Sequence, residues 1–129
     1  MFNFLKQNNV FVYGAELYFQ GGNVKGENAT VVIKGDMKTS DLNGGASVAV
    51  TTIYIDGNVK LDGGSASLGS SNVPGNIYIN GSLELLNGSR HIYGNVYVNG
   101  NFRLKDAIIH GNMYVNGNVE LGWTPTLDT

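Results

Sequence analysis

Residues that could act as metal ligands or proton-transfer groups are few in this chain. Histidine occurs twice, at His91 and His110, and cysteine is absent. A zinc site needs three or four ligands with good geometry. The two histidines lie at different distances from the strand that follows each of them, five residues before Val96 and three before Met113. The sequence therefore predicts no metal site and no cofactor.

Carboxylates are the other candidates for catalysis. A polysaccharide-cleaving enzyme needs two of them close together on one face, or a calcium cluster with a base. Asp56 is matched by Asn80, not by an acid, at the equivalent position of the next repeat, and the remaining aspartates considered share no position: Asp62, Asp106 and Asp128. We therefore expect no catalytic residues, and an enzyme that cleaves polysaccharides is the least favoured alternative.

Tyrosine provides the best candidate binding residues. The four that occupy one position of a repeated motif are Tyr54, Tyr78, Tyr97 and Tyr114. Aromatic side chains placed one above another can form a platform for a glycan or a partner protein. Tyrosine is also a favourable outward-facing strand residue that stacks on itself for structural reasons alone. Both interpretations remain open from the sequence.

The composition excludes several classes of protein. The chain has 129 residues, a net charge of −2 and no basic run, so the electrostatic footprint of a nucleic-acid-binding protein is missing. Hydrophobic residues make up 42%, which is enough for a core and argues against disorder. No apolar run reaches the ~18 residues of a membrane helix, and the first residues do not read as a signal peptide. We expect no nucleic-acid partner and no membrane contact by this segment.

A repeated nine-residue motif must position these side chains. The four strong copies are residues 53–61 (IYIDGNVKL), 77–85 (IYINGSLEL), 96–104 (VYVNGNFRL) and 113–121 (MYVNGNVEL). Residues 31–39 (VVIKGDMKT) form a weaker copy, and residues 17–25 (LYFQGGNVK) form a sixth with one extra glycine. Apolar residues alternate with polar ones on both sides of each central glycine, which is typical of short, half-buried strands.

The central glycine can be either a hairpin turn or a corner between two strands. If Asn99-Gly100 were a hairpin turn, Val98 would share a face with Asn101, and Phe102 would lie on the opposite face. A corner instead sends the apolar residues of both strands into one interior. We therefore predict β-helix corners, which need glycine for positive φ or for close backbone approach, at Gly35, Gly57, Gly81, Gly100 and Gly117.

The predicted fold is all-β, a single-stranded, right-handed parallel β-helix (a β-solenoid) of about six coils of 17–24 residues. It forms one domain over residues 1–129, with residues 1–16 as N-terminal cap or first coil, 17–121 as coils and 122–129 as C-terminal cap. The apolar residues expected to cover the two ends are Phe2, Phe4, Leu5, Val10 and Phe11 at one end and Trp123, Pro125 and Leu127 at the other.

In-register stacking also predicts the outer columns. One column contains Lys38, Lys60, Glu84, Arg103 and Glu120, in which charges alternate over the last four members. Another contains Asn58, Ser82, Asn101 and Asn118, whose side chains can hydrogen-bond from coil to coil.

The glycine-cornered motif, as in Tyr97-Val98-Asn99-Gly100-Asn101, resembles the coils of bactofilins and other polymer-forming bacterial proteins. It also resembles the β-helical ectodomains of clostridial-type surface or pilin-like proteins. The resemblance covers roughly residues 31–121. It implies a non-enzymatic structural or self-assembling role in bacteria, although the tyrosine column and the irregular coil length depart from typical bactofilins.

The functional expectation is a non-catalytic spacer or assembly domain that is exposed at the cell surface or associated with a pilus. Its partners would be further copies of itself, pilus or cell-surface proteins, or a glycan. The alternative function is an adhesin that binds carbohydrate or protein through the tyrosines. The alternative location is the cytoplasm, in a cytoskeletal role.

Overall fold

The computed structural model describes residues 10–14, 18–20, 23–38, 47–63, 67–72, 74–122 and 126–128. These residues form strands and the short connections between them, with no helix among the residues described. The strands are β1 Val10–Gly14, β2 Tyr18–Gln20, β3 Asn23–Ile33, β4 Met37–Lys38, β5 Ser47–Ile55, β6 Val59–Leu61, β7 Ser67–Leu68, β8 Gly75–Ile79, β9 Leu83–Leu85, β10 His91–Val98, β11 Phe102–Leu104, β12 Ile108–His110, β13 Met113–Val115, β14 Val119–Leu121 and β15 Thr126–Asp128.

Each coil crosses three walls. Strand β5 pairs with β7 near its start and with β8 near its end, so this long strand contributes to two successive walls. The first wall contains residues 24–26, 47–50, 67–68, 91–93, 108–110 and 126–128, and the second contains residues 30–33, 52–55, 76–79, 95–98 and 113–115. Strands β4, β6, β9, β11 and β14 form the third wall as a separate parallel sheet. The predicted parallel β-solenoid is confirmed.

The interior columns have the predicted register. Val96 pairs with Ile77 on one side and with Met113 on the other, and Phe102 lies between Leu83 and Val119 in the same way. Side chains of a strand alternate between its two faces. This register therefore stacks the apolar residues, which occupy every second position of each strand, into one core. Its buried members include Ile53, Ile55, Val59, Leu61, Ile77, Ile79, Leu83, Leu85, Val96, Val98, Phe102 and Leu104.

The coil count is lower than predicted. The third wall has five stacked strands among the residues described, so the chain makes four complete turns from β4 to β14. The proposed sixth copy, residues 17–25, is not a coil, since β2 pairs antiparallel with the start of β3, with Tyr18 opposite Lys25 and Gln20 opposite Asn23. Only Gly21 and Gly22 separate the two strands, and a two-residue glycine connection favours a tight hairpin.

The two ends of the solenoid are built differently. Strand β1 lies antiparallel along β3, with Val10 opposite Ile33, and covers the N-terminal edge of the second wall. Of the apolar residues expected to cover this end, Val10 and Phe11 lie in β1, and Phe11 is 42% exposed. Phe2, Phe4 and Leu5 lie outside the described residues, so the N-terminal cap stays a prediction. At the other end, Leu127 in β15 pairs with Ile109 of the first wall. Trp123 and Pro125 also lie outside the described residues.

Candidate binding groove on the second wall

The predicted tyrosine column is a continuous stack. Ring centroids are 4.7 Å apart from Tyr54 to Tyr78, 4.7 Å from Tyr78 to Tyr97 and 4.8 Å from Tyr97 to Tyr114, with interplanar angles of 9–13°. These distances fall in the range of offset stacking between aromatic rings. The spacing equals that between neighbouring strands of a sheet, so the register of the second wall sets the stack.

The stacked rings do not form the flat platform expected from the sequence. Because the rings are nearly parallel and follow one another along the solenoid, each ring directs its faces towards its neighbours. Tyr54 and Tyr114, at the two ends, are 44% and 50% exposed, whereas Tyr78 and Tyr97 are half-buried between neighbours. The column therefore presents mainly ring edges and phenol groups to solvent. Its role in binding stays a prediction.

A column of amides runs beside the tyrosines, two residues further along each strand. The Nδ2 of Asn80 donates to Asp56 Oδ1 at 2.9 Å, Asn99 donates to Asn80 Oδ1 at 3.2 Å, and Asn116 donates to Asn99 Oδ1 at 3.2 Å. An ionised carboxylate only accepts hydrogen bonds, so Asp56 fixes the direction of every amide above it. The sequence shows only that Asp56 has no acidic neighbour in the next repeat. In the structure, Asp56 begins a column of hydrogen-bonded side chains, the amide ladder, which continues through Asn80, Asn99 and Asn116.

Between the two columns lies an open groove of about 760 Å³ that runs along the solenoid. Its tyrosine wall is Tyr54, Tyr78, Tyr97 and Tyr114, its polar wall is Asp56, Asn80, Asn99 and Asn116, and Ile55, Ile79, Val98 and Val115 lie between them. At its N-terminal end, Val32 and Lys34 of the first coil occupy the positions that hold tyrosine and either aspartate or asparagine in the later coils. The groove therefore repeats one tyrosine and one amide or carboxylate in each of four successive coils.

The Asn58 column hydrogen-bonds differently from the amide stack that the sequence suggested. Asn58 Oδ1 accepts from the backbone N–H of Ser82 at 2.9 Å, Ser82 Oγ accepts from the N–H of Asn101 at 3.0 Å, and Asn101 Oδ1 accepts from the N–H of Asn118 at 2.9 Å. The side chains thus satisfy backbone donors just after each corner, where the strand pairing is interrupted.

The five predicted corner glycines lie between the second and third walls, one above another. Backbone N–H groups link them, as from Gly81 to Gly57 O and from Gly100 to Gly81 O, both at 2.9 Å. A Cβ on Gly81 would lie 2.6 Å from Gly57 O, too close for any side chain. Of the five glycines, Gly35 alone has a positive φ, 149°. Close backbone approach, rather than positive φ, therefore accounts for glycine at the other four positions, Gly57, Gly81, Gly100 and Gly117.

Sequence reasoning missed a second glycine column, at the corner between the first and second walls. Gly94 has a φ of 124° and Gly111 a φ of 148°, and a Cβ on Gly94 would lie 2.7 Å from the backbone nitrogen of Gly75. The signal was present, because a Gly-Asn pair precedes three of the strong motif copies, at residues 75–76, 94–95 and 111–112. The full repeat therefore has two glycine corners.

The two histidines contact each other on the outer face of the first wall. His91 Nδ1 and His110 Nε2 are 2.9 Å apart, and the His110 ring stacks on Tyr93 with centroids 4.4 Å apart. The two histidines occupy different columns, as expected, but they are diagonal neighbours. No group of three or more potential metal ligands occurs among the residues that the structure describes.

Arg90 is a buried side chain that the sequence did not reveal. It is 1% exposed, and its Nη2 donates to Gly63 O at 2.9 Å and to Asn87 O at 2.5 Å. Burial lowers the pKa of Arg90, and the charges of Asp62 and Asp106 oppose that shift. Asp62 also accepts from the side chain of Asn87 at 3.1 Å. This cluster joins the irregular connections that follow the third wall.

The predicted charge column is present on the third wall. Lys38 pairs with Lys60, Lys60 with Glu84, and Glu84 with Arg103 in the strand register. Arg103 lies 3.9 Å from Glu84 and 3.6 Å from Glu120. The two carboxylates on this face are thus separated by a guanidinium, an arrangement that ties adjacent coils together.

Comparisons with known proteins give no family. No protein-family model matches the chain, and neither a curated protein nor a solved structure matches it. Within the described part of the chain, no helix is long and apolar enough to cross a membrane. The fold and the repeated columns define the class as a parallel β-solenoid, and the resemblance to bactofilins and clostridial-type surface proteins stays a prediction.

Proposed function

We propose that this protein is a non-catalytic structural module that acts as a rigid spacer or assembly domain on the surface of a bacterium or in a pilus. The observation that carries the proposal is the continuity of bonding along the solenoid axis. Backbone hydrogen bonds run from coil to coil, for example from Asn80 N to Ile55 O and from Asn99 N to Ile79 O, both at 2.9 Å. Such a rod can hold two attached parts of a cell-surface structure apart.

The outer side chains support the same role. Tyrosine stacks on tyrosine, asparagine donates to asparagine, and Arg103 lies between two glutamates of the coils on either side. Each of these contacts joins one coil to the next, so that neighbouring coils resist separation and twisting. A repeat protein in which stability comes from interfaces between neighbouring repeats needs such contacts.

Single-molecule force spectroscopy tests the spacer role. The domain is placed between marker domains of known unfolding length and pulled through its two ends. We expect discrete unfolding events that release groups of coils, because the coils are cooperatively bonded. A chain that extends gradually, without discrete events, would contradict a load-bearing spacer.

Sedimentation velocity and electron microscopy test the assembly role separately. The N-terminal edge of the second wall is covered by β1, so indefinite head-to-tail stacking through that edge is not expected. Concentration-dependent formation of short, closed oligomers would support an assembly domain. A strictly monomeric rod would leave the spacer as the function and exclude self-assembly.

A further inference from the structure

We infer that the groove on the second wall binds a neutral, extended β-linked polysaccharide, lying parallel to the solenoid axis. This inference goes beyond the structural role, which does not require any ligand. It rests on the chemistry of the groove walls, on their period and on what the groove lacks.

The first argument is the combination of apolar and polar walls. Pyranose rings carry apolar C–H groups on their faces and hydroxyls on their edges, so that sugars bind best where aromatic surface lies beside amides. In this groove, each of Tyr78, Tyr97 and Tyr114 has an asparagine two residues further along the same strand. The tyrosine wall presents its ring edges, because the ring faces are stacked on each other. These edges can make van der Waals contacts with C–H groups, while the amide wall exchanges hydrogen bonds with hydroxyls.

The second argument is that the amides keep hydrogen-bonding capacity for a ligand. A carboxamide has two N–H donors and two acceptor lone pairs. In the ladder, Asn80 and Asn99 each use one N–H and one lone pair along the axis. Both side chains are exposed, so the second N–H and the second lone pair remain available to a chain lying in the groove.

The third argument is the period of the groove. The tyrosine centroids repeat every 4.7–4.8 Å over four rungs. The rings of an extended β-1,4-linked hexopyranose chain follow one another at a distance slightly longer than this spacing, and alternate rings are turned over. An extended peptide repeats every ~3.3 Å, which is much shorter. The groove therefore offers about one rung to each of a few successive sugars.

The fourth argument excludes the other polymers. The backbone groups of the second wall are already bonded to neighbouring coils, as in Asn99 N to Ile79 O, so an extended peptide cannot add as a further strand from the side. Among the described residues that line the groove, the charged ones are Lys34 and Asp56, both at its N-terminal end. A polyanion such as a nucleic acid finds no set of cations there.

Isothermal titration calorimetry with defined oligosaccharides tests the inference. Cellohexaose and chitohexaose serve as neutral β-1,4-linked probes, and maltohexaose, which has the glucose units of cellohexaose in a curved α-linked chain, serves as the matched control. We expect saturable binding to at least one β-linked hexamer and at least tenfold weaker binding of maltohexaose. Affinity should rise with chain length up to about four sugars, one per coil rung, and then level off.

Two alanine substitutions in the tyrosine column locate the site, and two further variants serve as controls. Tyr97→Ala removes a ring from the middle of the column and should weaken binding about tenfold, a typical worth of one aromatic contact, whereas Tyr97→Phe should retain affinity within about twofold. Tyr114→Ala provides a variant at the exposed end of the stack, where less structure depends on the ring. Arg103→Ala on the third wall is the control and should bind like the parent.

Three outcomes would overturn the inference: no saturable binding to either β-linked hexamer, equal binding of maltohexaose, or unchanged affinity in both Tyr97→Ala and Tyr114→Ala. Circular dichroism of each variant verifies that the solenoid is intact. Failure of sugar binding with an intact rod would leave the proposed spacer role standing, while force spectroscopy tests that role independently.

Discussion

The middle coils and the last coil carry the same motif but bury it to very different extents. In β11, Phe102 and Leu104 are 3% and 0% exposed, whereas their partners in β14, Val119 and Leu121, are each 55% exposed. Composition does not explain the contrast, since both strands alternate apolar and polar residues. The difference is that β11 lies between two strands of the third wall and β14 lies at its end.

This comparison teaches that stacking, and not the motif alone, creates the core. A coil of three short strands has too little interior to bury its own apolar face, so each coil depends on the coils on both sides. At the N-terminal end, strand β1 supplies that missing neighbour for the second wall. Substitutions at equivalent positions of middle and end coils should therefore lower the free energy of unfolding by very different amounts.

The largest effect is expected for Gly94→Ala. A methyl group there would overlap the backbone of Gly75, and the φ of 124° is unfavourable for alanine. Backbone strain of ~1–3 kcal/mol adds to overpacking of ~1–3 kcal/mol, so we expect a loss of about 4 kcal/mol. Urea unfolding followed by circular dichroism measures the free energy of unfolding.

Gly63→Ala is the matched control for that substitution. Gly63 also has a positive φ, 82°, but apart from its chain neighbours no described residue has an atom within 4 Å of the position that its Cβ would take. The cost should then be the conformational part alone, about 1 kcal/mol. Equal losses in the two variants would show that φ, and not the contact between stacked coils, decides the requirement for glycine at Gly94.

The next largest effect directly tests the contrast between coils. Leu104→Ala should lose about 3 kcal/mol, within the ~2–5 kcal/mol typical of a buried leucine, because it leaves a cavity between β9 and β14. Leu121→Ala, one coil further on, should lose less than about 1 kcal/mol, since more than half of its side chain is already exposed. Similar losses would mean that the end coil is buried in solution, for example by another copy of the chain.

The core columns could be predicted because strand alternation leaves little choice of register. A one-residue shift of residues 96–98 against 77–79 would place Tyr97 in the interior. Arg90 could not be predicted, since its bonded partners are backbone carbonyls of Gly63 and Asn87, which no side-chain pattern marks. The antiparallel hairpin of β2 and β3 was missed, although the extra glycine of residues 17–25 is its signal, since with two glycines between the strands Phe19 pairs with Val24.

The candidate groove was only half predicted. The tyrosine column followed from the register, but the amide ladder was assigned to the wrong column, at Asn58 instead of Asn80. Both columns carry asparagine once per coil, and sequence cannot distinguish a side chain that bonds to another amide from one that bonds to a backbone N–H. The distinction depends on the corner, which leaves a backbone donor free beside Asn58 and not beside Asn80.

A smaller effect is expected within the amide ladder. Asn99 both donates to Asn80 and accepts from Asn116, whereas Asn116, in the last coil, only donates within the ladder. Asn99→Ala removes two hydrogen bonds and should lose about 1 kcal/mol after replacement by water. Asn116→Ala removes one and should lose about half as much. Urea unfolding of both variants decides whether the ladder stabilises the middle coils more than the end, and equal losses would contradict that.

The smallest effect is expected at Arg103. This residue forms ion pairs with the coils on both sides, so that it connects the last coil in the same way as a middle coil. Its guanidinium lies 3.9 Å from Glu84 and 3.6 Å from Glu120, and its side chain is 51% exposed. Solvent screens such pairs, so Arg103→Ala should lose about 0.5 kcal/mol in low salt and nearly nothing in high salt. Arg103→Glu should lose more than Arg103→Ala, because three glutamates would then follow one another in the column. Urea unfolding at two salt concentrations measures both variants. A loss in Arg103→Ala that is independent of salt would show that the arginine stabilises through its aliphatic stem, and that β14 depends on packing even where it is most exposed.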